Sequence, residues 1–162
     1  MPILCRVTRG DLTESIHVVF AVAVDETGTV FYSTGDPYYL TCIRSSLKPF
    51  QAAATVKAGA VDSAGFSDAE LAMMCASHSG EDIHVNTVHS MLNKLGLSTA
   101  DLECGSHFPS DKITRHKMIK EGKSAESIHN NCSGKHAGML ALAKHLDQGI
   151  KGYIQKGHPV QK

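Results

Sequence analysis

Pro49 marks the point at which this chain changes from strand-type to helix-type sequence. Proline is tolerated only in the first turn of a helix, because deeper in it removes a hydrogen bond and clashes with the preceding turn. The sequence therefore predicts a helix beginning near Ser46, with Ser45 at or just before its N-cap. Upstream, residues 14–24 are β-branched, aromatic and almost continuously apolar, which predicts a strand buried on both faces.

Turn residues after this strand indicate the fold class. Residues 25–28 read as a turn, residues 29–33 as a returning strand, and Gly35 begins a break. We therefore expect an antiparallel β meander followed by a helical region, in an α/β or α+β fold.

Three further helices are predicted from start and stop signals. Ser67 and Glu70 form a capping box, which starts a helix that runs to about residue 76. A second helix spans about 83–95, with Gly96 as its stop, and residues 105–112 read as a loop. A last helix starts near Gly134 and presents one apolar face made of Met139, Leu142, Ala143 and Leu146.

Composition bounds the class of protein. The 162 residues carry 16 Lys+Arg and 16 Asp+Glu, so no basic excess favours nucleic acid or anionic lipid as a partner. The apolar run at 18–24 is too short to span a bilayer, and residues 1–10 lack a signal-peptide pattern. The odd number of cysteines, five, together with the lack of that signal-peptide pattern, favours reduced thiols and a cytoplasmic location. The spacings contain no CxxC pair, which argues against a closed structural zinc knuckle. We expect one domain over residues 1–162.

The first motif with chemical potential is Arg44-Ser45-Ser46-Leu47-Lys48, which has S-x-x-K spacing. This spacing places Ser45 and Lys48 on one face of a helix's first turn. A serine becomes a nucleophile when a base takes its proton, and a desolvated lysine can be that base. The alternative is an N-capping serine beside a solvated lysine.

The second motif is C-A-S-H-S-G-E, which follows the capped helix directly. Ser77, His78 and Ser79 bring two hydroxyls and an imidazole together, and Gly80 supplies backbone freedom. The segment could direct Ser77 into a cleft. It could equally be a polar loop between helices, with Cys75 as a small core residue.

The third motif is N-N-C-S-G-K-H-A-G-M. A phosphate-binding P-loop is excluded, because His129 stands where the loop needs glycine and no Ser or Thr follows Lys135. Cys132 and His136 are four residues apart and could share a helix face, in a geometry suited to a metal or to an activated thiolate. A capped helix with incidental polar residues is the alternative.

Taken together, in this order and spacing, the three motifs closely resemble the asparaginase II family of Ser-Lys amidohydrolases. The supporting segments include Leu102-Glu103-Cys104-Gly105 and His158-Pro159-Val160-Gln161. The resemblance covers nearly the whole chain and implies an architecture similar to that of serine β-lactamases, penicillin-binding proteins and glutaminases.

The resemblance also implies roles for individual residues. Ser45 is implied as the nucleophile and Lys48 as its base, with Ser77 as the serine of a second tandem. Substrate binding is implied for Arg44 and His78, and zinc binding for Cys132 and Lys135. Supporting roles fall to Ser79, Asn131 and His136. No organic cofactor is expected.

The implied reaction is hydrolysis of L-asparagine to L-aspartate and ammonia. Family members are longer, so the resemblance implies that this chain is an N-terminal portion that lacks the second tandem's lysine and a further metal-binding cysteine. An alternative of a different class is an inactive, truncated member that binds a metal or a partner. The sequence leaves the preference between asparagine and glutamine open. It also leaves open the oligomeric state, with a homodimer as one candidate.

Overall fold

The computed structural model describes residues 2–162 and has four strands followed by six α-helices. The expectation of antiparallel strands followed by helices is confirmed, and the fold is α+β. By internal packing the chain divides into two compact units, residues 1–43 and residues 44–162.

The first unit contains two antiparallel hairpins. In one, β1 (Ile3–Arg9) pairs with β2 (Leu12–Val19), so that Ile3 lies opposite Val19. In the other, β3 (Ala21–Val24) pairs with β4 (Val30–Thr34), so that Ala21 lies opposite Thr34. The two hairpins are separate two-stranded sheets rather than one continuous meander.

The prediction of one strand over 14–24, buried on both faces, was wrong. Phe20 interrupts the segment, and its two parts pair in different sheets. The side chains of Ile16, Val18 and Val22 are exposed, because a two-stranded hairpin has no second layer to cover its faces. Apolar continuity indicates that a segment can be buried, but it does not show what covers the segment.

The second unit begins with a 3₁₀ turn, Arg44–Leu47, which leads directly into α1 (Lys48–Lys57). Pro49 lies in the first turn of α1, as predicted, but the N-cap is Leu47 rather than Ser45. The chain tightens into 3₁₀ geometry one turn before the α-helix, a common arrangement at helix starts. Ser45 therefore lies in the turn itself.

Of the next four helices, the second and third follow their predicted signals closely, whereas the first and fourth were not predicted. The short α2 (Ala60–Ser63) precedes α3 (Asp68–Cys75), and Ser67 and Glu70 form the predicted capping box. Next come α4 (Asp82–Lys94) and α5 (Lys112–Lys120), and Gly96 has a φ of 65° at the stop after α4. Further short 3₁₀ turns occupy Thr99–Asp101, Ser127–His129 and Pro159–Gln161.

The last helix, α6 (Ser133–His145), is the centre of the second unit, and α1, α2, α3 and α4 all pack against it. A single apolar face was expected, but ten of its residues are buried, so the helix is covered on all sides. Small residues make this close packing possible. A Cβ at Gly134 would overlap the backbone of Met73, and one at Gly138 would lie 2.7 Å from the Met74 Cε. Leu146, expected on the apolar face, is 43% exposed beyond the helix end.

None of the helices in the described part of the chain has the length and apolar character needed to cross a bilayer.

Candidate active site

Lys48, one of the predicted site residues, is buried in the second unit. It is the first residue of α1 and is only 3% exposed. Its Nζ donates to the Ala76 carbonyl oxygen at 2.6 Å and lies 2.7 Å from the Ser77 Oγ. Helix α1 thereby contacts the segment that follows α3, and the first two sequence motifs meet at one amine.

The contact of Lys48 differs from the pairing that S-x-x-K spacing predicts. Within the described residues, the hydrogen-bond partners of the Lys48 Nζ are residues 76 and 77, and Ser45 is not among them. Ser45 instead lines an open cleft of about 410 Å³ together with Lys48. Lys48 therefore lines the same cleft as Ser45 and hydrogen-bonds Ser77, the candidate serine that is more distant in sequence.

The cleft beside Ser45 is strongly cationic. Seven residues line it, of which three carry positive charge and none carries negative charge: Arg44, Ser45, Leu47, Lys48, Gln51, Cys132 and Lys135. Such a lining favours a ligand with a carboxylate. Gln51 was not singled out from the sequence, although its position three residues after Lys48 places it on the same helix face.

Arg44 holds an unusual backbone conformation at the edge of this cleft. Its φ is 52°, and among the described residues only one other non-glycine residue, Asp147, has a positive φ. The left-handed region costs an L-residue about 1–2 kcal/mol. Strain of this kind concentrates at functional sites, where neighbouring structure enforces it.

The His78 side chain is buried, and both of its ring nitrogens hydrogen-bond other residues of the protein. Its Nδ1 accepts the Gly80 N–H at 3.2 Å, so its Nε2–H donates to the Ser133 Oγ at 2.8 Å, which in turn donates to the Ile128 carbonyl. Burial, followed by the nearby His84 and Lys48, lowers the pKa of His78 to about 4. The Nε2 contact therefore holds the segment that carries Ser77 against the start of α6, and the Nδ1 contact fixes the local turn of that segment.

Asn131 and Ser79 also engage neighbouring segments. The Asn131 carbonyl accepts the His78 backbone N–H at 3.2 Å, and its own N–H donates to the His107 Nε2 at 3.1 Å. The Ser79 carbonyl accepts the Asp111 N–H at 3.1 Å, and Pro109 lies so close to Gly80 that a Cβ there would be 2.9 Å away. The second motif is therefore fixed from two sides.

Cys132 is the N-cap of α6, and Lys135 lies within the first turn of that helix. Both line the cleft that contains Ser45. Cys104 lies near them: the Asn130 Nδ2 donates to the Cys104 carbonyl at 2.7 Å, and the Asn130 Oδ1 accepts the Cys132 N–H at 2.9 Å. Burial, reinforced by Cys132, raises the pKa of the Cys104 thiol to about 11.

A zinc ion needs more protein ligands than Cys132 and Lys135 supply. Structural zinc sites use four protein ligands, and catalytic sites use three with an open position. Between residues 2 and 162, no group of three or more His, Cys, Asp or Glu side chains is arranged to hold a metal. Cys132 and Lys135 could contribute to a zinc site, but the described residues do not complete one.

His136 is buried and bonded to a residue outside the predicted motifs. Its Nδ1 lies 2.7 Å from the hydroxyl of Tyr153, which accepts the Glu103 N–H at 2.8 Å. Burial, together with the neighbouring Lys135 and Lys48, lowers the pKa of His136 to about 4. Sequence reasoning missed Tyr153, because nothing local distinguishes this single tyrosine, 17 residues after His136, from a surface residue.

The three motifs that looked separate along the chain thus converge in the second unit. Lys48 joins the first motif to the second, His78 joins the second to the third, and the cleft brings Ser45 beside Cys132 and Lys135. No curated protein matches the chain. The sequence profile of the family described as L-asparaginase II matches residues 5–162. The chain therefore belongs to the L-asparaginase II family.

Proposed function

We propose that this protein is an L-asparaginase that hydrolyses L-asparagine to L-aspartate and ammonia through a Ser-Lys nucleophile. Family membership supports the amidohydrolase class. The observation that carries the mechanism is the buried Lys48 amine, which lies 2.7 Å from the Ser77 Oγ in the wall of a cleft that contains Ser45. A buried amine that hydrogen-bonds one hydroxyl and lines the same cleft as a second is suited to proton transfer during the reaction.

In the proposed reaction, the Ser45 Oγ attacks the side-chain amide carbon of asparagine and Lys48 takes the hydroxyl proton. The amide C–N bond breaks, the nitrogen leaves as ammonia with the returned proton, and an aspartyl ester remains on Ser45. Water then hydrolyses the ester and releases aspartate. Ser77 hydrogen-bonds the Lys48 Nζ and assists the proton transfer. For Lys48 to act as base, its amine must be neutral when Ser45 attacks.

The charges of the cleft suit this substrate class. Arg44 and Lys135 lie in the lining beside Ser45, where either could pair with the α-carboxylate of a small amino acid. A guanidinium matches a carboxylate with two parallel hydrogen bonds, so we assign the carboxylate contact to Arg44. His78 is proposed to support the site by holding the Ser77 segment, because its ring nitrogens are engaged by Gly80 and Ser133.

The proposal is tested with purified protein by ammonia release from asparagine and from glutamine, and by the colour change of a chromogenic β-lactam. We expect release from asparagine, loss of that release in Ser45→Ala, and wild-type behaviour in Ser46→Ala. Ser46 is the matched control, because it occupies the same 3₁₀ turn and is absent from the cleft lining. Undiminished activity in Ser45→Ala would refute the nucleophile assignment.

Zinc binding by Cys132 and Lys135 remains part of the proposal. The ion would supply a Lewis acid beside the cleft, and a lysine ligand would have to be neutral. Metal analysis of the purified protein tests this, together with the rate at which a thiol reagent modifies Cys132 with and without chelator. A Cys132 reactivity that chelation leaves unchanged would count against zinc.

The alternative is a family member that binds a metal or a partner without turning over substrate. Normal folding and metal content without turnover of any of the three substrates would favour it. A cytoplasmic location and a homodimer also remain proposals. Sedimentation of the purified chain measures the oligomeric state directly.

A further inference from the structure

Tyr153 is fully buried, and two groups meet at its hydroxyl. The Glu103 backbone N–H lies 2.8 Å from the hydroxyl oxygen, and the His136 Nδ1 lies 2.7 Å from it. The two rings meet edge to face, with centroids 5.5 Å apart. These contacts connect the segment after α6 to the third motif and to the segment that carries Cys104.

The direction of the two hydrogen bonds follows from what each group can do. A backbone N–H only donates, so the phenol oxygen accepts from Glu103. The phenol proton then needs an acceptor, and His136 Nδ1 is the remaining partner that the described residues provide. If Nδ1 carried a proton, the buried hydroxyl would lose its acceptor, at a cost of about 1–3 kcal/mol. The arrangement therefore places the imidazole proton on Nε2.

The second ring nitrogen remains available for a ligand. Within residues 2–162, the single buried side-chain nitrogen or oxygen without a partner is the Glu70 Oε1, so the unbonded His136 Nε2 keeps solvent contact. His136 lines a cavity of about 320 Å³ whose other polar lining residues are Gln51, Glu103, Cys104, Lys135 and Gln161. The Glu103 Oε1 accepts the Gly152 N–H at 2.8 Å. Gln51 and Lys135 also line the cleft of Ser45, so the two spaces adjoin.

We propose that Tyr153 is a positioning residue, whose hydroxyl holds His136 in the Nε2-protonated tautomer so that His136 donates a hydrogen bond to an acceptor oxygen of a bound ligand. The ligand class is a small molecule with a carboxylate or amide oxygen, placed beside Gln51 and Lys135. The assignment of the ligand rests on the proposed function, whereas the assignment of the tautomer does not.

The tautomer is tested by nitrogen-15 NMR of the full chain labelled at histidine, with the His136 signals assigned through His136→Gln. We expect a protonated Nε2 and an acceptor-type Nδ1 in the wild type, and a mixture of tautomers in Tyr153→Phe. Tyr38→Phe is the matched control, because Tyr38 is 80% exposed. A wild-type Nδ1–H, or an unchanged tautomer in Tyr153→Phe, would overturn the proposal. The wild-type measurement decides even if the variant fails to fold.

The ligand role is tested by titrating L-aspartate and L-asparagine into the same labelled protein. We expect the His136 Nε2–H resonance to shift on saturation, and Tyr153→Phe to weaken binding about 2–10-fold, the equivalent of one neutral hydrogen bond. In steady-state kinetics with asparagine, we expect Tyr153→Phe to raise KM and to leave kcat within twofold of wild type. An unmoved Nε2–H resonance, or a loss confined to kcat, would overturn the ligand role. Binding at His136 without ammonia release would refute the proposed function and still support this inference.

Discussion

At the scale of single residues, the interaction with most chemical consequence is the one between Lys48 and Ser77. The S-x-x-K spacing singled out Lys48 but pointed to Ser45 as its nearest hydroxyl, since sequence spacing reports only neighbours on one helix. The bond to Ser77 spans 29 residues and depends on the path of the chain after α3. The hydrogen-bond partner of His136 could not be predicted either, because Tyr153 lies in a segment without a motif.

Substituting Lys48 by methionine keeps the length of the side chain and removes the amine. The Ala76 carbonyl and the Ser77 hydroxyl lose their hydrogen-bond partner, so we expect the free energy of unfolding to fall by about 1–3 kcal/mol. Asparaginase activity, measured where the variant remains folded, falls about 10²–10⁴-fold with loss of the base. Lys57→Met, near the end of the same helix and outside the cleft lining, is the matched control for losing a lysine from α1. Equal effects of the two variants on activity would contradict the role given to Lys48.

His78 predicts a defined dependence of stability on pH. The folded protein keeps this imidazole neutral, with a pKa of about 4, because of burial and the nearby His84, Lys48 and His107, while the ordinary value is 6.5. Between these values the unfolded chain binds more protons, so the free energy of unfolding falls as pH falls from 6.5 toward 4. Well above pH 6.5 the imidazole is neutral in both the folded and the unfolded chain, so His78 no longer changes the free energy of unfolding with pH. One such group gives a slope of at most about 1.4 kcal/mol per pH unit.

The measurement is urea denaturation at pH values from 4 to 7.5, in wild type and in His78→Gln. We expect the variant to be less stable at pH 7, since Gly80 and Ser133 lose their partner, and to show a shallower pH slope by about one proton. Identical slopes in the two proteins would show that His78 does not titrate in this way.

At the scale of elements, the crossing of α3 and α6 shapes the site, because α3 leads to Ser77 and Cys132 is the N-cap of α6. Small residues of α6 permit the approach of the two helices. The sequence predicted α6 but assigned it one apolar face, because pattern reasoning counts large side chains. It misses faces made of Ser, Gly and Ala, which are buried through close backbone contact.

Local signals such as the Ser67 capping box and the Gly96 stop predicted helix ends correctly, because their chemistry is local.

A graded series of glycine substitutions tests this crossing. Gly134→Ala should destabilise most, by about 1–3 kcal/mol, because its Cβ meets the unyielding backbone of Met73. Gly138→Ala should cost less, since the atoms it meets belong to the flexible Met74 side chain. Gly149→Ala, where nothing lies within 4 Å, should be nearly neutral. Thermal melts of the four proteins give the order, and a neutral Gly134→Ala would contradict the close packing.

At the scale of the whole molecule, every predicted site residue lies in the second unit, which begins at Arg44. The order of the motifs along the chain was sufficient to recognise the family, and the family match over residues 5–162 confirms it. Which side chains touch was not predictable, because the bonds from Lys48 to Ser77 and from His78 to Ser133 join segments 29 and 55 residues apart. The exposed strands of the first unit were mispredicted, because periodicity does not reveal the covering layer.

The central claim is that Ser45 forms a covalent aspartyl ester during asparagine hydrolysis. It is tested most directly by acid-quenching the protein during turnover of asparagine, followed by intact-mass measurement and peptide mapping. We expect a mass increase of one aspartyl group, and we expect peptide mapping to locate it on Ser45. This mass increase should be absent in Ser45→Ala and present in Ser46→Ala. An aspartyl group located on Ser77, or turnover that persists in Ser45→Ala, would contradict it.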